Sequence, residues 1–351
     1  MSNFVKINNK ITNFNKSLTI DGDKSLSIRW ALLASQSLKK SKASNLLLSE
    51  DVISTLNCLK KLGVKIKISK NFCEMIGLGL NGFKYKNNLI LDAGNSGTLG
   101  RLILGLLVHS KKKIKLKGDS SLSKRDFMRV IKPLEKFGAK FDSNHGKLPI
   151  KVQGTNFTKP IRYFENKGSA QCKSAVMFAA LNTLGETIIK AKKSRDHSEL
   201  LFKHLRLPIK VIKKKSYDSI KIKGKNRIPA LNYRIPSDIS SAAFFIVLTA
   251  LAKNSELKIK NVNINPSRMG VIYILKLMGV RVSKLKIKNY KGEKIADLIV
   301  KSTNNIKPIN CPVKFNSLAI DEFLLIFLVA AKAKGVSYFK NLSELNQKES
   351  P

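Results

Sequence analysis

Apolar residues recur along the chain in two helical patterns. In Asp51–Gly63 they return every three or four positions, which predicts an α-helix with one buried face. Leu26–Leu38 is apolar almost all round, which predicts a helix inside a domain. Short alternating segments such as Val64–Ile68 separate the helices and predict strands with one buried face. The chain is therefore expected to be an α/β protein.

Both helical patterns repeat at a regular interval. The amphipathic helices are predicted to end at residues 63, 138, 207 and 279, which are 69 to 75 residues apart. With the strands between them, the predicted unit is strand–helix–strand–helix–strand–strand, about 70 residues long. Buried helices with sheets outside them make an inverted α/β arrangement. The predicted apolar helices are Leu26–Leu38, Gly97–Ser110, Ser169–Leu184, Ser240–Ala252 and Ile320–Lys332.

The repeats also predict the domains. The 351 residues are enough for two domains. The apolar helix occurs five times and the amphipathic helix four times, and a fifth amphipathic helix would begin near residue 351. We therefore expect one domain of three repeats over residues 21–235. The second domain is expected to consist of residues 1–20 and 236–351, in a truncated chain that lacks the last repeat of that domain.

Charge and composition exclude several classes of protein. The net charge is +43, from 55 lysines spread along the chain and only 11 arginines, with a single tryptophan. Nucleic-acid binders concentrate cations on one face, among arginines and aromatic residues, so we expect no nucleic-acid partner. The lysine surface would instead attract small anions. The longest apolar run, Ala242–Ala252, is too short to cross a bilayer, so no membrane span or signal peptide is expected.

The four cysteines are isolated along the chain and form no paired motif. A metal site and a disulfide framework are therefore not expected, and a reducing, cytoplasmic compartment is favoured. These cysteines are Cys58, Cys73, Cys172 and Cys311.

Polar motifs precede or open the apolar helices, where backbone N–H groups and the helix dipole favour anions. Four of the 11 arginines fall in or beside these motifs, although the chain prefers lysine five to one. This placement favours bidentate binding of a carboxylate or phosphate by the arginine guanidinium groups. Ordinary helix capping and helix packing are the alternative. The four arginines are Arg29, Arg101, Arg125 and Arg195.

Two other places in the sequence offer candidates for proton transfer. His197 could act as a base, but its place at a helix start favours an ordinary solvent-facing histidine. Asp321 and Glu322 precede an apolar helix, where an acidic pair can be a helix cap or supply a general base.

In their order along the chain, these motifs resemble the 5-enolpyruvylshikimate-3-phosphate synthase family. The resemblance implies two domains of three repeats in an inverted α/β barrel, with the active site in the cleft between them. It further implies a cytoplasmic monomer without metal or cofactor, active in the shikimate pathway. The motifs are GDKSLSIR, DAGNSGTLGR, GDSSLSKR, SAQCKSAVMFAALN, SRDHSE, PSDISSAAF, NPSRMGV, IDE and SELNQKES.

The resemblance implies transfer of the enolpyruvyl group of phosphoenolpyruvate to the 5-hydroxyl of shikimate 3-phosphate, with release of phosphate. Asp321 matches the general base, Glu349 a candidate acid for protonating the enol carbon, and Lys24 a residue reaching both substrates. The positions that match phosphoenolpyruvate contacts are Lys24, Gly97, Arg125 and Gln171. Those that match shikimate 3-phosphate contacts are Lys24, Ser25, Arg29, Ser169, Ala170, Gln171, Arg195, Asp321 and Lys348.

Two departures leave alternatives open. Asp126 follows Arg125 where the family usually has proline, and Pro351 ends the chain where the motif beginning at Lys348 should continue. Membership of the family therefore does not by itself imply that this 351-residue chain is active. An inactive anion-binding fragment is one alternative. The other is the related transferase that acts on UDP-N-acetylglucosamine, which uses a reactive cysteine. The corresponding loop here, Gly118–Arg125, contains none.

Overall fold

The computed structural model describes Lys6, residues 12–343 and Leu345. The chain divides into two compact units. The central unit comprises Gly22–Ile235 and the short segment Lys291–Glu293. The terminal unit comprises the described residues up to Asp21, Pro236–Tyr290 and those from Lys294 onward.

Helices alternate with strands along the whole described chain, and none of the described helices is long and apolar enough to cross a membrane. The α-helices are α1 (Lys24–Ala34), α2 (Glu50–Lys61), α3 (Gly97–Leu107), α4 (Ser120–Ser123), α5 (Met128–Glu135), α6 (Ala170–Asn182), α7 (His197–His204), α8 (Ile239–Leu251), α9 (Gly270–Leu277) and α10 (Phe323–Ala330). Two 3-10 helices cover Pro266–Arg268 and Val313–Leu318. The strands are β1 (Asn15–Thr19), β2 (Lys40–Ser44), β3 (Lys65–Ser69), β4 (Phe72–Ile76), β5 (Leu89–Asp92), β6 (Ile114–Lys117), β7 (Lys140–Asn144), β8 (Lys147–Gln153), β9 (Arg162–Glu165), β10 (Glu186–Lys192), β11 (Ile209–Lys213), β12 (Tyr217–Lys223), β13 (Tyr233–Arg234), β14 (Glu256–Asn263), β15 (Arg281–Tyr290) and β16 (Glu293–Lys301).

The strands form four sheets of the same design. The sheet orders are β13-β2-β4-β3, β5-β6-β8-β7, β9-β10-β12-β11 and β1-β14-β16-β15. In each sheet the first two strands are parallel, and the second and third are antiparallel. In two sheets a helix directly connects the two parallel strands, since α3 connects β5 to β6 and α6 connects β9 to β10. The predicted repeating unit is confirmed.

The central unit has its helices inside and its sheets outside. Helices α1, α3 and α6 are buried along nearly their whole length. Strands such as β8 alternate between exposed and buried residues, so one face of each sheet covers the helices and the other meets solvent. This confirms the inverted α/β arrangement predicted from the all-round apolar helices.

The terminal unit departs from the prediction in two respects. Its apolar helices α8 and α10 were expected to be buried all round, but Phe244 is 63% and Leu324 is 72% exposed. After α10, where the predicted repeating unit has a strand, the structure has only one parallel bridge, between Asn310 and Tyr338. A single bridge supplies no ladder of hydrogen bonds, so the segment on either side of it runs without strand structure.

Helices α3 and α6 approach each other closely where Gly105 faces α6. A Cβ atom placed on Gly105 would lie 2.1 Å from the backbone oxygen of Ala175. Only a residue without a side chain allows this spacing. Because α3 and α6 carry the helix-start motifs Gly97–Arg101 and Ala170–Ser174, the contact also sets the distance between those motifs.

We expect Gly105→Ala to destabilise the protein by about 1–3 kcal/mol or more, because the backbone oxygen cannot move away as a side chain could. Gly100→Ala on the same helix is the control. Its Cβ would meet the Phe127 ring at 3.2 Å, a contact that a small ring movement relieves. Urea unfolding of both variants measures the difference, and equal stability of the two would contradict the close-packing account.

Candidate functional site

Each buried helix of the central unit begins at a capping side chain that belongs to a motif. The carboxylate of Asp23 accepts the Leu26 N–H at 2.9 Å at the start of α1. Ser96 caps α3 in the same way, and Ser169 caps α6. These caps fix where the helices start and therefore where the neighbouring polar residues lie.

Arg29 on α1 is held inside the central unit by acceptors from three places in the chain. It is 3% exposed. Its Nε donates to Ser198 Oγ at 2.9 Å, one Nη to Ser174 Oγ at 3.2 Å and the other Nη to the Ser25 carbonyl at 3.1 Å. Ser174 and Ser198 also bond each other at 2.7 Å. Burial lowers the pKa of Arg29 to about 10, so the group keeps its charge at neutral pH.

Two more cations flank this network. Arg195, half-buried ahead of α7, lies near enough to Arg29 to lower its pKa by charge repulsion. Lys24, at the start of α1, reaches solvent and forms an ion pair with Asp51 at 3.2 Å. The first helix-start motif and the Arg195 segment thus contribute to one cationic region.

A second pair of guanidinium groups surrounds Gly97 at the start of α3. Arg101 donates to the Gly97 carbonyl at 3.2 Å and packs over the Phe127 ring at 4.7 Å. Arg125 donates to the Asn95 side-chain oxygen at 3.0 Å. Burial lowers the pKa of Arg101, with the charge of Arg125 adding to the effect.

Backbone contacts hold the two loops of this second region together. The N–H of Asp119 donates to the carbonyl of Gly94 at 2.9 Å, which places the loop before α4 beside the loop before α3. Gly94 has a positive φ of 55°, a conformation that glycine adopts without steric cost. Arg125 therefore approaches Gly97 although the two residues belong to different motifs of the same repeat.

Gln171 links α6 to the second region. Its Oε1 accepts from Arg101 at 3.0 Å, and its Nε2 donates to Thr98 Oγ1 at 3.0 Å. Gln171 is half-buried, as are Ser169 and Ala170 beside it. Since Ser174 on the same helix bonds Arg29, helix α6 connects both guanidinium clusters. Motifs up to 169 residues apart are thus joined by hydrogen bonds within one unit.

One predicted site residue belongs to the terminal unit, and two others fall outside the described part of the chain. Asp321 belongs to the terminal unit, in an exposed turn, and α10 begins two residues later at Phe323. Glu322, beside it, is buried and accepts from the Ser240 hydroxyl. Lys348 and Glu349 lie outside the described residues.

Several residues of the network were not predicted as site residues. Ser174 and Ser198 stand inside the quoted motifs, but only the fold shows that they bond Arg29. Lys173 and Glu199, their neighbours, form a buried ion pair at 2.6 Å. The spacing of 72 residues between Arg29, Arg101 and Lys173 was the available signal, because it marked equivalent inward positions on three buried helices.

The expectation of a solvent-facing His197 is wrong. Its side chain is fully buried, and its Nδ1 lies 2.7 Å from Glu293 Oε1. The segment Lys291–Glu293, which is distant in sequence, covers the start of α7 and removes His197 from solvent. A helix-start position by itself could not indicate that cover.

The four cysteines are buried and unpaired by disulfides. Burial raises the pKa of Cys58 and of Cys73 to about 12, and it also raises the pKa of Cys172 and Cys311. A reactive thiol needs a lowered pKa, so none of them is activated. Within the described part of the chain, no group of three or more His, Cys, Asp and Glu side chains is arranged to hold a metal ion.

Comparisons with known proteins agree with one another. The 3-phosphoshikimate 1-carboxyvinyltransferase of Ruthia magnifica subsp. Calyptogena magnifica is 43% identical over 334 residues, which are 95% of this chain and 75% of that protein. The protein of the same name from Caldicellulosiruptor saccharolyticus is 39% identical over 336 residues, or 95% and 77% of the two chains. A solved EPSP synthase from Acinetobacter baumannii superposes with a TM-score of 0.86 at 35% identity, covering 96% of this chain and 76% of that one.

The profile of the EPSP synthase (3-phosphoshikimate 1-carboxyvinyltransferase) family matches residues 8–351. Together with relatives of which this chain covers three quarters or more, the match establishes that the chain belongs to the EPSP synthase family.

Proposed function

We propose that this protein transfers the enolpyruvyl group of phosphoenolpyruvate to the 5-hydroxyl of shikimate 3-phosphate and releases phosphate, as a transferase of the shikimate pathway. The proposal rests on one observation: helix α6 joins two guanidinium clusters, around Arg29 and around Gly97, inside a single unit. Two anionic substrates need two such clusters. Family membership identifies the substrates.

In this proposal each guanidinium cluster binds one of the two substrates. Shikimate 3-phosphate contacts Lys24, Ser25, Arg29 and Arg195, since these residues line the first cationic region and offer donors for phosphate and carboxylate oxygens. The start of α6, residues Ser169, Ala170 and Gln171, grips its phosphate group. Phosphoenolpyruvate takes the second region, where Arg125 and the Gly97 backbone lie together, with Lys24 and Gln171 contacting both molecules.

The proposed chemistry is an addition followed by an elimination. Protonation of C3 of phosphoenolpyruvate gives C2 oxocarbenium character, and the 5-hydroxyl oxygen of shikimate 3-phosphate bonds to C2 as Asp321 accepts the hydroxyl proton. Loss of phosphate from C2 and of a proton from C3 then leaves the enolpyruvyl ether. Glu349 is the proposed acid for C3. The guanidinium groups stabilise the phosphate and carboxylate charges throughout.

The related reaction on UDP-N-acetylglucosamine is not favoured. That transferase uses a reactive cysteine in the loop equivalent to Gly118–Arg125, and this loop contains no cysteine. The buried cysteines elsewhere have raised pKa values, which oppose thiolate formation. An anion-binding fragment would bind the substrates without converting them, so binding and turnover assays distinguish it from an active transferase.

We further propose that the protein acts as a monomer in the cytoplasm, on small molecules and without a nucleic-acid partner. Four unpaired thiols suit a reducing compartment. The lysines are dispersed along the chain, so they do not form the concentrated basic face that nucleic acid requires. Light scattering of the purified protein tests the monomer, and gel shift at physiological salt tests the absence of nucleic-acid binding.

The proposed function is tested by calorimetry and by phosphate release. Shikimate 3-phosphate should bind the protein alone, and phosphate release should require both substrates. Arg29→Met should weaken shikimate 3-phosphate binding at least about tenfold, since a charge-assisted bond contributes about 1.5–3 kcal/mol. Arg162→Met, an exposed arginine on β9, serves as the control. Absence of binding to the folded protein would reject the substrate assignment, and binding without turnover would favour the fragment alternative.

Gly97→Ala should weaken phosphoenolpyruvate selectively. The added Cβ would lie 2.8 Å from an Arg101 Nη and 3.0 Å from an Arg125 Nη, so both flexible guanidinium groups must shift. We expect the KM for phosphoenolpyruvate to rise about tenfold, while shikimate 3-phosphate binding and the melting temperature change little. Steady-state kinetics and calorimetry measure these quantities. An equal loss for both substrates would contradict the division of the clusters.

Asp321→Asn should lower kcat by at least about a hundredfold and leave shikimate 3-phosphate binding nearly intact. The amide keeps the shape of the side chain but cannot accept the 5-hydroxyl proton. If Asp321 only caps the turn before α10, asparagine serves equally well and kcat stays unchanged. Asp142→Asn, an exposed carboxylate on β7 paired with Lys151, is the control.

A further inference from the structure

A buried ion pair lies beside the Arg29 network and belongs to none of the proposed substrate contacts. Lys173 Nζ and Glu199 Oε1 are 2.6 Å apart, with side chains 1% and 3% exposed. Apart from this ion pair, neither charged group has a hydrogen-bond partner among the described residues. A buried charge is costly unless an opposite charge compensates it. The charge of each residue therefore depends on the other.

The ion pair sits next to the two serines that hold Arg29. Lys173 precedes Ser174 on α6, and Glu199 follows Ser198 on α7. The serine pair and the ion pair thus connect the same two helices at adjacent positions. The ion pair therefore adjoins the acceptors of the Arg29 guanidinium on both helices.

Glu199 is also a competing acceptor for Arg29. Its charge raises the pKa of Arg29, so the carboxylate is within electrostatic reach of the guanidinium. A carboxylate binds a guanidinium more strongly than a serine hydroxyl does. In the structure, Lys173 forms an ion pair with this carboxylate, and the Arg29 guanidinium donates hydrogen bonds to the two serines. Without Lys173, the balance of charge favours transfer of the guanidinium to Glu199.

We propose that Lys173 is a positioning residue: by pairing with Glu199 it keeps the Arg29 guanidinium on Ser174 and Ser198, in the orientation that receives an anionic substrate. The identity of that anion as shikimate 3-phosphate rests on the proposed function. The orientation of Arg29 in the unliganded protein does not, and it can be measured separately.

The asymmetry of two single variants tests the proposal. Lys173→Met leaves Glu199 free to take the guanidinium, so shikimate 3-phosphate binding should weaken at least about tenfold by calorimetry. Glu199→Gln removes the competitor, so binding should change less than about threefold, although both variants should lower the melting temperature. The double variant Lys173→Met/Glu199→Gln should restore binding to within about threefold. Ile220→Ala in β12 is the control, a buried apolar truncation that lowers stability without altering charge.

A second readout follows Arg29 itself without any ligand. The ¹⁵Nε–H NMR resonance of Arg29, identified by its loss in Arg29→Met, should shift in Lys173→Met and return in the double variant. Lys173→Gln, which keeps a donor for Glu199 without a charge, replaces Lys173→Met if the latter does not fold. This resonance separates the inference from the proposed function, because it is measured in the absence of substrate.

The calorimetry and NMR results together decide between the proposal and its alternatives. If the Arg29 resonance shifts in Lys173→Met while the wild-type protein does not bind shikimate 3-phosphate, the positioning role is supported and the substrate assignment is rejected. Normal wild-type binding with an unmoved resonance, and with Lys173→Met weakened no more than Ile220→Ala, would overturn the proposal. Equal weakening by Lys173→Met and Glu199→Gln, without rescue in the double variant, would also overturn it and leave the pair a purely structural contact.

Discussion

A guanidinium group can remain inside a protein only if acceptors meet its donors and nearby carboxylates offset its charge. Arg29 meets both conditions, with acceptors from α1, α6 and α7 and the carboxylates of Asp23, Glu199 and Glu293 raising its pKa against the effect of burial. The helices that supply these groups must hold their spacing to a fraction of an ångström. The close contact of α3 with α6 and the buried ion pair of α6 with α7 both serve that requirement.

Repetition of one structural unit explains why cations meet in the central unit. Arg29, Arg101 and Lys173 occupy equivalent positions of three successive buried helices, so the fold turns all three toward its interior. Each now has a different partner: serines for Arg29, Gln171 for Arg101 and Glu199 for Lys173. The same position of the repeat thus holds a serine-bonded guanidinium in one repeat and one member of a buried ion pair in another.

The periodicity of apolar residues was enough to predict the repeating unit and its buried helices, because the spacing of apolar residues indicates which faces of a helix are buried. It could not predict the cover over His197, since Glu293 is 96 residues away and only the fold brings it near. The serines that hold Arg29 were hidden for the same reason. The exposed faces of α8 and α10 were mispredicted because an apolar helix has the same pattern whether or not another element covers it.

Strand order also has a consequence for the order in which the chain can fold. The first sheet of the central unit is closed by β13, whose residues pair with β2 across 190 positions of sequence, as Asn45 does with Ile235. Strand β1 pairs with β14, after an interval of 241 residues. Every strand of the central unit's sheets is therefore synthesised before β14 exists. The first strand to be synthesised has no partner until all of those strands have been made.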